Sequence, residues 1–493
     1  MHSQWSYFSA KQILQEFKKG TITSRALLDH YVSRIEKLNP SINSVVAMDI
    51  SAARARADAA DKAREEGVSW GPLHGLPVTV KDTYEVVGMP CTAGSPSLRN
   101  HIPTKDAVAI DSLRSAGAII FAKTNVPLFA SDIQSFNKVY GTSHNPWNSE
   151  CTPGGSSGGA AASLAAGFTP LELGSDIGGS IRTPAHFCGV YGHKSSHGII
   201  SLRGHIPGPP GVLSETDMAV VGPMARTADD LGLMLDTLVG PSPLMEPAWK
   251  VKLAAAKQRK LSDFKVLLWL EDPLCPIEGE MSNCYQQLAQ LLREQGLDVT
   301  LGQPLGMGLD CFYPTYMNLL GSVMGASLKK AQRLMLGAAA PVLGKIGKKF
   351  NTPISLDSFL KGASQSHVSW AATNEKRYRI REKFIQVFDQ YDVILSPVAM
   401  TTAFKHNQEK ELILRKLKVD GQIRNYPDLF MWIAPATMMG LPATSAPVGF
   451  TGSGLPINIQ IMGAPYADKT TIKFASLLEK VTGGFKIPPG FEQ

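Results

Sequence analysis

Three short stretches place serine or lysine beside glycine: Gly75-Leu-Pro-Val-Thr-Val-Lys-Asp82, Gly154-Gly-Ser-Ser-Gly-Gly159 and Gly174-Ser-Asp-Ile-Gly-Gly-Ser-Ile-Arg182. Ser180 reads as a nucleophile. Gly178 and Gly179 before it let the main chain approach a carbonyl without a side-chain clash. The consecutive N–H groups of Ile177, Gly178, Gly179 and Ser180 could then converge on one oxygen as an oxyanion hole. Ile181 and Arg182 follow the serine, so this is not the GxSxG elbow of the α/β-hydrolases. Taken alone, Gly154–Gly159 reads equally well as a flexible linker. It runs, however, straight into Ala160-Ala-Ala-Ser-Leu-Ala-Ala166, a strong helix-forming run. A glycine turn entering a helix suggests N–H groups held for a purpose. The phosphate-loop pattern GxxxxGK[ST] is missing, which argues against nucleotide binding.

A serine hydroxyl needs a base. Of eleven histidines, His186, His193, His197 and His205 lie near Ser180 in sequence, but none sits in a triad context and no HExxH pattern occurs. His193 and His197 have i, i+4 spacing, yet Gly192, Ser195, Ser196 and Gly198 disfavour a helix there, so neither metal nor cofactor is expected. Lys81 is the better candidate. It is either a surface lysine at a strand end or a buried one, and a buried amine without a facing counter-charge loses affinity for its proton. Asp82 would oppose that shift only if it faced Lys81, and successive strand residues point to opposite faces.

The elements that must hold these residues alternate between helix and strand. Helical spacing runs from Ser9 to about Gly67, with Thr23 suited to cap the second segment. A buried strand ends at Lys81, a helix spans about 105–115, and Ala118–Phe121 forms a second strand. Further helices are expected at 226–238, 282–294, 370–390 and 469–481, with strands at 265–270, 392–396, 443–448 and 457–461. The pattern is that of an α/β protein. No repeat and no interdomain linker divide the 493 residues. Apolar residues at 44% and charged residues at 18% describe a globular chain with a large core. A net charge of +7 without a basic stripe does not point to nucleic acid. Six scattered cysteines, no secretory signal and no membrane-length apolar run lead to a cytoplasmic expectation. The stretch 319–349 mixes apolar pieces with Lys329, Lys330, Arg333, Lys345, Lys348 and Lys349. Peripheral membrane contact and an ordinary solvated helix are both open there.

Together these residues resemble the amidase signature family. The resemblance also rests on Gly71–Asp82, Gly117–Asn125, Tyr140–Asn148, Pro153–Lys194, Val221–Asp230 and Gly440–Ala443. It is weakest from about Pro241 to His367. It implies an α/β/α sandwich with a large, mostly mixed central sheet covered by helices on both faces. One domain, 1–493, would comprise N-terminal helices (about 1–70), a signature core (71–240), a variable substrate-shaping part (241–390) and a C-terminal part of the same sheet (391–493). The family uses a Ser-cisSer-Lys triad whose serines stand 24 positions apart. That spacing selects Ser156 rather than Ser157 as the bridge to Ser180.

The resemblance further implies that neutral Lys81 draws a proton through Ser156 from Ser180, which attacks an amide and is later released by water. It places Ala130, Ser131, Asp132 and Ile133 near the acyl pocket, and it makes Ser157, Asp176 and Arg182 supporting residues. His193-Lys194-Ser195-Ser196 departs from the Lys-Pro of many relatives, and His186 lies inside the block. Both bear on loop geometry rather than on chemistry. The expected activity is hydrolysis of a small-molecule carboxylic amide by a monomer or homodimer. The first alternative is the glutaminase subunit of a tRNA-dependent amidotransferase, which alone would bring in nucleic acid and partner subunits. The second is a non-catalytic scaffold of the same fold. Met317, Leu319, Leu320, Met324, Phe430, Met431 and Trp432 could line an apolar acyl pocket or simply pack the core.

Overall fold

The computed structural model describes residues 3–206, 209–346, 354–409 and 411–492. Fifteen strands are described: β1 (Val45–Met48), β2 (Pro77–Lys81), β3 (Ile119–Thr124), β4 (Phe136–Asn137), β5 (Gly141–Thr142), β6 (Leu171–Asp176), β7 (Tyr191–Lys194), β8 (Val220–Ala225), β9 (Lys265–Leu268), β10 (Asp298–Leu301), β11 (Val393–Pro397), β12 (Lys416–Val419), β13 (Gln422–Asn425), β14 (Ala443–Phe450) and β15 (Pro456–Gly463). Eleven of them form one sheet in the order β1-β3-β2-β6-β8-β7-β14-β15-β11-β9-β10, while β4-β5 and β12-β13 are separate two-stranded hairpins. The sheet is mixed. β2 runs parallel to β3 and β6, β9 is parallel to β10 and β11, and the remaining pairings are antiparallel.

Both faces of this sheet are covered, because successive strand residues enter different hydrophobic clusters. Val266 and Leu268 of β9, and Val393 and Leu395 of β11, join Leu27, Tyr31, Phe264 and Phe474. Leu267 and Ile394, between them, join Trp269, Phe312, Tyr316 and Trp432. The expected α/β/α sandwich is therefore present.

Local signals placed the ends of several elements. Ser9 forms a capping box over the helix Ala10–Lys19, and Thr23 Oγ1 accepts from Ala26 N at 3.0 Å at the start of Ser24–Ile42. The run of helices to Gly67 is broken, however, by β1, four residues that pair with β3. The helix expected at 370–390 spans His367–Phe384 and tightens into a 3₁₀ turn over Ile385–Asp389. Of the mixed stretch 319–349, residues up to Gly325 finish a largely buried helix, Leu309–Gly325. The next helix, Lys330–Ile346, exposes Leu334, Met335 and Val342. Lys348 and Lys349 lie outside the described residues. No described helix is long and apolar enough to cross a membrane.

Candidate active site

Lys81 is the last residue of β2, a strand buried along its whole length. Its neighbour β6 carries Glu172, Ser175 and Asp176, and the parallel register sets Thr79 against Glu172 and Val80 against Leu173. Two glycine-rich turns meet at the C-terminal ends of these strands. Ser156 precedes the helix Gly158–Ala165, and Ser180 precedes the helix Arg182–Cys188. This is the rim of an α/β sheet where open crevices form.

Lys81 Nζ donates to Ser156 Oγ at 2.7 Å and to Ser175 Oγ at 3.0 Å. Exposure grades outward from Lys81 at 0% through Ser156 at 1% to Ser180 at 7%, so the lysine end is dry and the serine end is the more exposed. Ser180 is tied to the same turn through the main chain, its carbonyl accepting from Ser157 N at 3.1 Å. No hydrogen bond of Ser180 Oγ occurs among the described residues. The Gly155–Ser156 peptide is cis. Burial lowers the pKa of Lys81 to about 7, although Asp176 and Glu172 pull it upward. Glu172, also buried, is raised to about 8, which weakens its negative charge near neutrality. Asp82 turns away from Lys81, accepting from Thr92 Oγ1 at 2.6 Å and facing Lys123 at 3.5 Å.

The Ser180 turn is held by one carboxylate. Asp176 accepts from Gly179 N at 3.0 Å and from Ile181 N at 3.1 Å, and it takes a two-pronged contact from Arg182 at 2.8 and 3.0 Å. Arg182, fully buried, also donates to Ile433 O, Gln460 Oε1 and Thr437 Oγ1. The Gly179 N–H thus already has a partner. Ile177, Gly178 and Ser180 are the expected oxyanion donors whose N–H groups carry no hydrogen bond among the described residues. Gly179 sits at φ +84°, and a Cβ there would meet Thr183 Oγ1 at 2.7 Å, so the turn requires glycine.

The 130–133 segment backs the second turn. A Cβ on Gly155 would come within 2.7 Å of Asp132 O and of Ile133 C, so this main chain lies directly against the residue before Ser156. The Asp132 carboxylate is itself engaged by Arg415 at 2.7 Å and by Tyr426 O–H at 2.8 Å. Ser131 donates to Leu128 O at 2.6 Å, and Ala130 adopts φ +56°. Among the suggested apolar lining residues, Phe430 lies at the site, its ring 3.0 Å from where a Cβ on Gly178 would stand. Met317, Leu319, Leu320, Met431 and Trp432 belong to the core, and Met324 is exposed. Tyr316 O–H donates to Ile177 O at 3.1 Å, and Ile433 packs against Gly179. Neither aromatic nor aliphatic spacing in the sequence singled out Tyr316 or Ile433.

The nearby histidines divide. His193 joins Thr444 and Asp468, and His186 is buried beside Thr401 O and Asn458 N, so both serve the framework. Lys194, a second buried lysine, donates to Leu441 O at 2.8 Å. His205 Nε2, in contrast, lies 2.8 Å from Ser175 Oγ, one hydroxyl away from Lys81. Ser175 was not flagged from the sequence, although it stands in the same block as Ser180.

A mixed sheet whose rim joins a buried lysine to a serine turn is the framework of an amide hydrolase. The chain belongs to the amidase family, whose model matches residues 26–472. It is 31% identical to a glutamyl-tRNA(Gln) amidotransferase subunit of Synechococcus sp. (strain CC9902), over 91% of each chain. Among solved structures it is similar to a crystal structure of an amidase, with 26% identity, a TM-score of 0.75 and coverage of 97% of this chain and 100% of the other. It also resembles a structure from work on a vestigial protein complex and the origins of an s-triazine catabolic enzyme, with 27% identity, a TM-score of 0.77 and the same coverage.

Proposed function

We propose that the chain hydrolyses a carboxylic amide through an acyl-enzyme on Ser180, with Ser156 relaying protons to Lys81. The observation that carries this reading is the buried Lys81 amine, 2.7 Å from Ser156 Oγ and with its pKa lowered to about 7. Ser180 gives its proton to Ser156 as Ser156 gives its own to Lys81, and the Ser180 oxygen attacks the carbonyl. The N–H groups of Ile177, Gly178 and Ser180 meet the resulting oxyanion. Ser156 then protonates the leaving amine, recovering a proton from Lys81, and water releases the acid by the same relay. Phe430, Tyr316 and Ile433 around the turn support an apolar acyl group. Two charged pairs beside the turns, Asp176 with Arg182 and Asp132 with Arg415, already hold one another.

A fluorophosphonate probe is expected to label the folded protein on Ser180, and Ser180→Ala is expected to abolish both labelling and amide turnover. Intact-mass spectrometry showing no adduct would favour the non-catalytic reading.

The similarity to the Synechococcus protein favours a second reading, in which the chain releases ammonia from glutamine inside an amidotransferase. Turnover by the isolated chain should rise along a series of amides with longer apolar acyl groups and be weak on glutamine. Glutamine hydrolysis that appears only with partner subunits would reverse that order.

A further inference from the structure

Four groups form a continuous line: Ser156 Oγ, Lys81 Nζ, Ser175 Oγ and His205 Nε2, spaced 2.7, 3.0 and 2.8 Å apart. The proposed reaction uses the first two and leaves His205 without a role. A neutral lysine amine has two N–H donors and one lone pair, and a serine hydroxyl has one proton and two lone pairs. For Lys81 to accept the Ser156 proton, its lone pair must face Ser156. Its N–H groups must then find acceptors, and Ser175 Oγ is one. Ser175 can accept from Lys81 only if its own proton points elsewhere. Aimed at Lys81, that proton would occupy the lone pair the reaction needs.

We infer that His205 is a positioning residue: its Nε2 accepts the Ser175 hydroxyl proton, which keeps Ser175 an acceptor towards Lys81 and leaves the Lys81 lone pair to Ser156. The inference rests on Lys81 being the base. The fold holds the imidazole for this task. The 201–206 segment is pinned to the chain leaving β2, with Glu85 N donating to Gly204 O at 2.9 Å and Ile206 N donating to Thr83 O at 2.6 Å. The Tyr84 ring meets the His205 ring edge-on at 4.9 Å, and Tyr84 O–H donates to Gly174 O beside Ser175. Nε2 can accept only if it is unprotonated. Burial, with Lys81 adding to it, lowers the His205 pKa to about 3, so the imidazole stays neutral where the enzyme would work. The other charged groups acting on Lys81 are Glu172 and Asp176 from β6.

Two substitutions separate this role from simple packing. His205→Phe removes the acceptor, whereas His205→Gln can offer Oε1 in its place. His205→Phe is expected to lower plateau kcat/KM about tenfold or more. It should also move the acidic limb of the pH profile to lower pH, because protonated Lys81 loses a properly turned acceptor while the neutral amine gains a donor. His205→Gln should recover most of the rate and the original limb. In a Ser175→Ala background, His205→Phe should add no further loss, since the histidine acts through that hydroxyl. Equal losses in the Phe and Gln variants with an unmoved limb, or losses that multiply with Ser175→Ala, would overturn the inference.

A measurement on the unsubstituted protein makes the outcome independent of how the variants fold. Nitrogen-15 NMR of labelled histidine should show His205 with its proton on Nδ1 and a bare Nε2 between pH 6 and 9. A protonated Nε2 would refute the role assigned to His205. Wild-type turnover in Lys81→Met would instead refute Lys81 as the base, and the tautomer measurement tells the two failures apart.

Discussion

Replacing Lys81 by methionine is expected to lower kcat/KM by roughly 10²–10⁴-fold while leaving the melting temperature at neutral pH no lower than that of the wild type. The two effects have one cause. Burial brings the pKa of the amine from 10.5 down to about 7, so it supplies a free lone pair near neutrality. With Lys81 as the proposed base, activity requires the neutral form, and wild-type kcat/KM should fall as pH drops through an apparent pKa near 7. The stability sign follows from the same shift. Between about pH 7 and 10.5 the unfolded chain holds a proton at this lysine that the folded chain has given up. The folded state is therefore handicapped, and its stability from this group rises with pH across that window. At about 1.4 kcal/mol per pKa unit the handicap amounts to several kcal/mol near pH 7. Methionine removes it and forfeits two hydrogen bonds worth about 1 kcal/mol each. Thermal melts at pH 7 and pH 10 provide the check. The advantage of Lys81→Met over the wild type should shrink at the higher pH. A variant that melts well below the wild type at pH 7 would contradict a lysine held neutral by burial.

Arg182→Met is expected to destabilise the fold by about 3–5 kcal/mol, because it leaves the Asp176 carboxylate buried without its partner. Burial works against that carboxylate. The Arg182 charge and its hydrogen bonds, with help from Lys194 and the Ile181 N–H, more than offset this and hold the group below the usual aspartate range. The loss reaches the chemistry, since Asp176 fixes the N–H groups of Gly179 and Ile181 on either side of Ser180. The folded fraction should accordingly show reduced kcat. The double variant Asp176→Asn/Arg182→Met, which carries no unpaired charge, should be less destabilised than Arg182→Met alone. Urea denaturation measures both. As a control, Glu375→Ala should change stability by no more than about 0.5 kcal/mol, because the Arg379–Glu375 pair lies in solvent.

How much of this was legible in the sequence varied with how local the determinant is. Ser9 and Thr23 as caps, the strand ending at Lys81 and the helix following the Gly154–Gly159 turn all depend on neighbours in the chain, and all are found. β6, β7 and β8 were not anticipated. Leu171-Glu-Leu-Gly-Ser-Asp176 and Tyr191-Gly-His-Lys194 are buried on both faces, so they lack the alternation that marks a strand. Their polar residues are satisfied by distant partners, as when His193 meets Asp468. The apolar residues offered as pocket lining were indistinguishable from core in sequence, and only packing against Gly178 set Phe430 apart.

By itself, the sequence determined the identities and spacing of Lys81, Ser156 and Ser180, the glycines that allow their turns, and the α/β character of the elements carrying them. The turns and elements follow from residue type and short-range backbone preference, whereas the choice of Ser156 over Ser157 rests on the family resemblance. Only the tertiary structure decided that Lys81 lies in a dry interior where its charge is disfavoured, that Asp176 already holds the Gly179 N–H, and that Ser175 and His205 stand behind Lys81. Such properties arise from desolvation and from hydrogen bonds between residues far apart in the chain, and neither exists until β2, β6 and the 201–206 segment are packed together.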